Sequence, residues 1–304
     1  MPDDRVAIQP IKNAIFHEIL GVAGKRNSRL ASRFIRLILN IPVDRISTIL
    51  VDFDQNISTI GWNEAAKILL SRFVNKVQVN GPIDIPPEGP LIVAANHPGS
   101  FDAMILAALI SRDDLMVMSS SMPFITCLPS VAPHFIFVGS SPHSKMAAFR
   151  SALRHLKDGK ALLVFPRGNV EPDPALSPDA ERTLQFWSPS LGMLLSKTPQ
   201  ARAVVSIVGG VISSRWFDSR LFRFLKKPEQ RQKFAEIFQV AEQLTLSRKT
   251  SLQPVVSFSP PISQTNPIYN GSEAWMEILL KNAREQVNLV GAENNGITIS
   301  FSNG

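Results

Sequence analysis

A histidine and a carboxylate stand five residues apart in the stretch Asn96-His97-Pro98-Gly99-Ser100-Phe101-Asp102. An apolar run over 91–95 leads into it and another, over 103–110, follows. Runs of these lengths predict a buried strand and then a helix. His97 would then sit where the strand ends, and Asp102 where the helix begins. In open α/β sheets, ligands bind in the crevice outside the carboxyl ends of the strands. Histidine titrates near neutral pH without much tuning, so His97 suits a general base acting on a hydroxyl. A carboxylate on its other ring nitrogen would fix the tautomer and stabilise the imidazolium. Residues five apart do not share a face of one continuous helix. The pair therefore converges only if the chain turns between them, and Pro98-Gly99-Ser100 is such a turn. The alternative is a buried histidine with ordinary partners beside an aspartate that supports the helix start.

The elements that must position this pair follow from periodicity. Residues 5–40 read as two amphipathic helices. One carries Ile8, Ile11, Ile15 and Ile19; the other carries Leu30, Phe34, Leu37 and Ile38; Gly21 and Gly24 break the pattern between them. Residues 41–74 read as helical and irregular. Strands are expected at 74–79, 91–95, 115–118, 135–138, 161–165 and 255–258, and over 203–212 as one strand or a pair. Helices are expected at 145–157, ended by Gly159, at 184–197 with an interruption near Pro189, and at 273–288. Strands alternating with helices imply a largely parallel sheet covered on both faces. The organisation is an N-terminal amphipathic helical region over 1–74, an α/β domain over 75–290 and a C-terminal tail over 291–304.

The motif Asn96-His97-x-x-x-x-Asp102 resembles the NHxxxxD motif of the glycerolipid acyltransferases, the lysophosphatidic acid acyltransferase-like superfamily. Residues 135–138 are similar to that family's second block. Leu163-Val164-Phe165-Pro166-Arg167-Gly168-Asn169 resembles its FPEGT block, 204–211 its fourth apolar block, and 256–262 its late strand. The resemblance spans roughly residues 75–290. It implies an α/β fold like that of glycerol-3-phosphate acyltransferase: a mixed, largely parallel central sheet flanked by helices, with an N-terminal helical region. It also implies transfer of a fatty acyl group from acyl-CoA or acyl-carrier protein to a hydroxyl of a glycerophosphate or lysophospholipid-like acceptor. His97 would be the base and Asp102 its orienter, with Asn96 and Pro166 supporting the motif. No covalent intermediate is required, which agrees with the absence of a Gly-x-Ser-x-Gly elbow.

Two departures bear on the acceptor. The second block usually ends in an arginine that grips the acceptor phosphate, and here the position is about Ser140. The third block usually carries glutamate where Arg167 stands, with Glu171 four residues on as a partial substitute. Arg167 can itself clamp a phosphate bidentately. Gly168 and Asn169 complete that block, and Lys145 and Arg150 are further phosphate candidates. The alternatives are an acyltransferase for a non-phosphorylated acceptor, or a catalytically altered protein that binds lipid at a membrane surface.

The chain has 304 residues, 44% of them hydrophobic, and a formal net charge of +7. The sequence pI is about 9.8 and the mean hydropathy is +0.07. That balance supports a sizeable core and excludes a disordered chain, and it suits anionic partners. A lone cysteine, Cys127, cannot form a disulfide within the chain, which fits a reducing compartment. No run approaches the roughly 18 apolar residues of a spanning helix. The N-terminus lacks the basic and apolar regions of a secretory signal. The expectation is an intracellular protein, peripheral on the cytoplasmic face of a membrane. Arg5, Lys12, Lys25, Arg26, Arg29, Arg33 and Arg36 could meet an anionic surface, or could simply be the solvated face of a helical cap.

Residues 215–233 mix seven basic residues with Trp216, Phe217, Phe222 and Phe224. This suits a membrane interface, a helix with aromatics facing the core, or single-stranded nucleic acid. No RNA-binding module accompanies it, so no nucleic-acid partner is expected. His17, His134, His143 and His155 are scattered without metal-ligand spacing, and there is no dinucleotide or phosphate-loop motif. No metal and no cofactor are expected, only the acyl donor as co-substrate.

Overall fold

The computed structural model describes residues 8–24, 28–81, 83–222, 225, 227–246, 252–263, 271–291 and 296–301. Arg5, Lys25, Arg26, Arg223, Phe224 and Lys226 of the two basic segments lie outside them. Helices α1 (Ile8–Val22), α2 (Arg29–Ile60) and α3 (Trp62–Ser71) precede strands β1 (Lys76–Asn80) and β2 (Leu91–Ala95). Then come α4 (Phe101–Leu109), β3 (Met116–Ser120), β4 (Phe135–Val138), α5 (Pro142–Lys157) and β5 (Ala161–Val164). Short α6 (Ala180–Thr183) and α7 (Ser190–Ser196) lead to β6 (Arg202–Gly209) and α8 (Ser214–Phe217). The chain closes with α9 (Pro228–Leu246), β7 (Val255–Phe258), α10 (Ser272–Gly291) and β8 (Ile297–Ser300).

The eight strands form one sheet in the order β4-β3-β5-β2-β6-β7-β1-β8. The first five run parallel. β7 is antiparallel to β6, β1 parallel to β7, and β8 antiparallel to β1. The sheet is thus mixed and largely parallel, with helices on both faces.

β2 shows why such a strand reads as one apolar run. Leu91, Val93 and Ala95 point into the core under α2, α3 and α4, while Ile92 and Ala94 point into the core under α5, α7 and α10. Both faces are covered, so no polar alternation is needed. Burying each of the larger side chains contributes about 1.5–3 kcal/mol. The helix after β2 packs on the first face, and the one after β5 on the second. The helices that follow these two neighbouring strands thus lie on opposite faces, the arrangement at whose strand ends ligands bind in open α/β sheets. α5 begins with Ser141 accepting the Ser144 N–H at 3.1 Å and ends at Gly159, whose φ of 80° favours glycine.

Four expectations change. The second N-terminal helix does not stop near residue 40: α2 runs on to Ile60, with Pro42 inside it. The two N-terminal stripes also differ. Ile11, Phe16 and Leu20 of α1 are buried, whereas Leu30, Phe34 and Leu37 of α2 are 80%, 63% and 80% exposed. Residues 215–233 do not form one helix but α8, a 3-10 turn at Arg220–Phe222 and the start of α9. Residues 291–304, read as a tail, supply β8, which pairs with β1 from Lys76↔Ser300 to Val79↔Ile297. The 203–212 alternative resolves to a single strand, β6. Among the described residues, no helix is long and apolar enough to cross a membrane.

Candidate active site

Asn96 ends β2 and is held at once. Its Nδ2 donates to the Val208 carbonyl at 2.8 Å and its Oδ1 accepts the Val208 N–H at 2.7 Å. The side chain thus carries the β2–β6 ladder one step beyond the strand and fixes where His97 begins. Pro98 to Ser100 then turn the chain back, and Asp102 enters in the first turn of α4. Asp102 is fully buried. Its Oδ2 lies 2.9 Å from His97 Nδ1 and accepts the Gly99 N–H at 3.1 Å; its Oδ1 accepts the Ala103 N–H. A buried carboxylate needs such donors, and the turn supplies them.

The pair that the spacing suggested is therefore real. With Nδ1 on the carboxylate, the proton rests on Nδ1 and Nε2 is left with a lone pair. Nε2 has no partner among the described residues, and the side chain is 30% exposed. The ring leans on Phe165, centroids 4.7 Å apart. Burial alone would lower the imidazole pKa. The charge and hydrogen bond of Asp102, with the carboxyls of Glu236 and Glu171, outweigh it and raise the pKa above 6.5.

The loop after β5 forms the other wall. The Glu171 N–H donates to the His97 carbonyl at 2.7 Å, which joins the two loops directly. The Glu171 side chain is buried. Its Oε2 accepts from Thr183 Oγ1 at 3.2 Å and Trp187 Nε1 at 3.3 Å, and its Oε1 has no partner. Burial pushes this carboxyl up to about 7. Pro166 accepts the Ser188 N–H at 3.0 Å, which anchors the far end of that loop.

Arg167 is partly buried. One guanidinium nitrogen donates to the Val170 carbonyl at 2.7 Å and another lies 3.6 Å from Glu229 of α9. Its charge acts on Glu171. Gly168, at φ 68°, and Asn169 form the exposed tip of the turn. Lys145 and Arg150 are exposed on α5 and form no hydrogen bond with the His97 group. The structure thus gathers His97, Asp102, Asn96, Pro166, Arg167 and Glu171 and leaves Lys145 and Arg150 outside.

Three residues of the site were not anticipated. Gln232 of α9 donates from Nε2 to the carbonyls of Pro98 and Glu171 (2.7 Å to the latter), and its Oε1 accepts the Asp173 N–H at 3.2 Å. Glu236 accepts the Ser100 N–H, and burial pushes its carboxyl up to about 7. Asp173 collects the N–H groups of Ala175, Gly210, Val211 and Ile212 and so ties the β5 loop to the end of β6. A Cβ on Gly99 would come within 2.8 Å of Glu236 Oε1, so a side chain there would displace the Glu236 carboxyl. The missed signal was the four-residue spacing of Gln232 and Glu236 on one side of a helix.

Residues 76–198 match the family model described as Acyltransferase. No curated protein matches the chain. Among solved structures, the crystal structure of the 1-acyl-sn-glycerophosphate (LPA) acyltransferase PlsC from Thermotoga maritima is similar. The likeness covers 95% of this chain and 98% of that one, at 13% identity and a TM-score of 0.47. The stretch that matches the acyltransferase family model, residues 76–198, is the one that carries His97, Asp102, Arg167 and Glu171.

Proposed function

We propose that the protein is an O-acyltransferase that uses His97 as general base. The observation that carries this is the buried Asp102 carboxylate 2.9 Å from His97 Nδ1, with the ring 30% exposed and Nε2 unpartnered among the described residues. Nε2 takes the proton of an acceptor hydroxyl as its oxygen attacks a thioester carbonyl. The tetrahedral intermediate collapses, the thiolate leaves, and the imidazolium returns the proton to the sulfur. Asp102 stabilises the charge while it resides on the ring. The donor is acyl-CoA or acyl-carrier protein, and the acceptor a glycerophosphate or lysophospholipid-like alcohol. Arg167, between Val170 and Glu229, is the cation available to an acceptor phosphate.

The protein would work on the cytoplasmic face of a membrane, without crossing it. Leu30, Phe34, Leu37, Ile38 and Ile41 of α2 are exposed large apolar side chains, and Arg29, Arg33 and Arg36 are exposed among them. That combination favours an anionic lipid interface.

The test is a free-thiol release assay with long-chain acyl-CoA and a panel of acceptors. Acceptor-dependent release by the native protein is expected. His97→Ala should lower turnover by about 100-fold or more, the scale of general-base catalysis, with the thermal melt retained. Most of the activity surviving in His97→Ala would overturn the proposal.

A further inference from the structure

Helix α9 lies beyond residues 76–198, yet it holds the catalytic turn. Its inward side carries Gln232, Glu236, Gln239 and Gln243 at steps of four, three and four, one stripe of a helix, beside buried Ala235 and Leu244. Each of these side chains meets backbone. Gln232 joins the loops after β2 and β5, and Glu236 accepts the Ser100 N–H. Gln239 accepts the Ser213 N–H at 2.6 Å and donates to the Val211 carbonyl at 3.1 Å, while Gln243 donates to the Phe73 carbonyl at 2.9 Å. The loops after β5, β2 and β6, three neighbouring parallel strands, are thus clamped by one helix. Apolar side chains would fill the same space without direction. Amides and a carboxyl fix the loops through bonds that have it.

Glu236 is the odd member, for a glutamine there would accept the same Ser100 bond. What it adds is a carboxyl that ionises at about 7, so its charge arrives on the alkaline side of that value. The ionisable groups around it are Asp102 of α4 and His97, and those around His97 are Asp102, Glu236 and Glu171. We propose that Glu236 is a positioning residue of this site. It fixes the turn between His97 and Asp102 through Ser100, and its carboxylate favours the imidazolium that forms when His97 takes a proton. The inference rests on the reading of His97 as the base.

The experiment compares the full-length protein with Glu236→Gln, Glu236→Ala and His97→Ala. The imidazole of His97 is titrated by NMR without substrate, and kcat/KM is followed against pH by thiol release. Glu236→Gln should keep the native melt and lower both the His97 pKa and the acid limb of the profile by about half a unit or more, the effect of removing a nearby charge. Glu236→Ala should also lower kcat by about tenfold or more through a displaced turn, with the donor KM unchanged. A His97 titration in Glu236→Gln identical to the native one would overturn the proposal, as would full kcat in a folded Glu236→Ala. If Glu236→Ala does not fold, Glu236→Gln decides the matter alone. Activity surviving in His97→Ala would instead refute the base assignment, while the titration still judges Glu236.

Discussion

The Glu171 N–H donates to the His97 carbonyl oxygen at 2.7 Å, so the two loops that frame the site share a backbone bond. The backbone of His97 is therefore tied to the loop after β5, which also carries Arg167.

Asp102→Asn should leave the fold intact and lower kcat by about 100- to 10,000-fold, the range seen when a base loses its orienting carboxylate. It should also lower the His97 pKa, because the group that raises it is gone. Thiol release and imidazole titration measure the two effects. Native values for both would show that Asp102 only supports the helix start.

The pH dependence has a definite sign. His97 lies above 6.5 in the folded protein, and Glu171 and Glu236 lie at about 7 against 4.5 when unperturbed. All three hold a proton more tightly when folded. Their stabilising contribution is full below the unfolded values and is lost as pH rises through the folded ones, from 4.5 to about 7 for the glutamates. Activity runs the other way, since it needs neutral His97 and rises as pH passes that group's raised pKa. Glu171→Gln keeps an acceptor for Thr183 and Trp187 and removes one titrating group. The fall in Tm between pH 5 and pH 8 should shrink in this variant. An undiminished fall would contradict the buried-carboxyl account.

Asn96→Ala should destabilise the protein by about 2–4 kcal/mol, because it strands both the N–H and the carbonyl of Val208. Asn96→Asp should be worse, since a carboxylate would face that carbonyl. Urea midpoints at constant slope measure both. A loss under about 0.5 kcal/mol, the scale of an ordinary surface change, would mean that the clamp matters little.

Replacing Leu30, Phe34 and Leu37 together with serine should reduce retention on anionic vesicles by about tenfold or more, given the apolar area each could bury. Added salt should weaken binding further through Arg33 and Arg36. Flotation assays read this directly. Undiminished retention by the triple variant would place the contact elsewhere on the protein.

How much of this was legible depended on which physical rule governed each residue. His97 and Asp102 stood out as a pair joined by a turn, but spacing alone left a buried histidine beside a helix-start aspartate equally open; the resemblance of the ordered blocks around them, 163–169 above all, singled them out. β2 was readable because burial on both faces demands an unbroken apolar run. Helix α9 was not, since the side chains by which it holds the loops are glutamine and glutamate, set among buried Ala235 and Leu244. Apolar periodicity has nothing to detect in Gln232, Glu236, Gln239 and Gln243. Lys145 and Arg150 show the opposite failure. Their charge suits a phosphate, but helix phase alone turns them to solvent. Arg167 was found, while its partner Glu229 was not, being 62 residues away in sequence and brought close only by the fold.

β1 takes its two neighbours, β7 and β8, from residues 255–258 and 297–300. During synthesis β1 therefore emerges long before anything can pair with it. The five parallel strands that carry the site are finished by Gly209, while β1 waits as an unpaired edge. Pairing β1 with β7 closes a loop of more than 170 residues, between Asn80 and Val255, a slow step for any chain. A nascent protein would thus hold its catalytic strands in place before its first strand has docked.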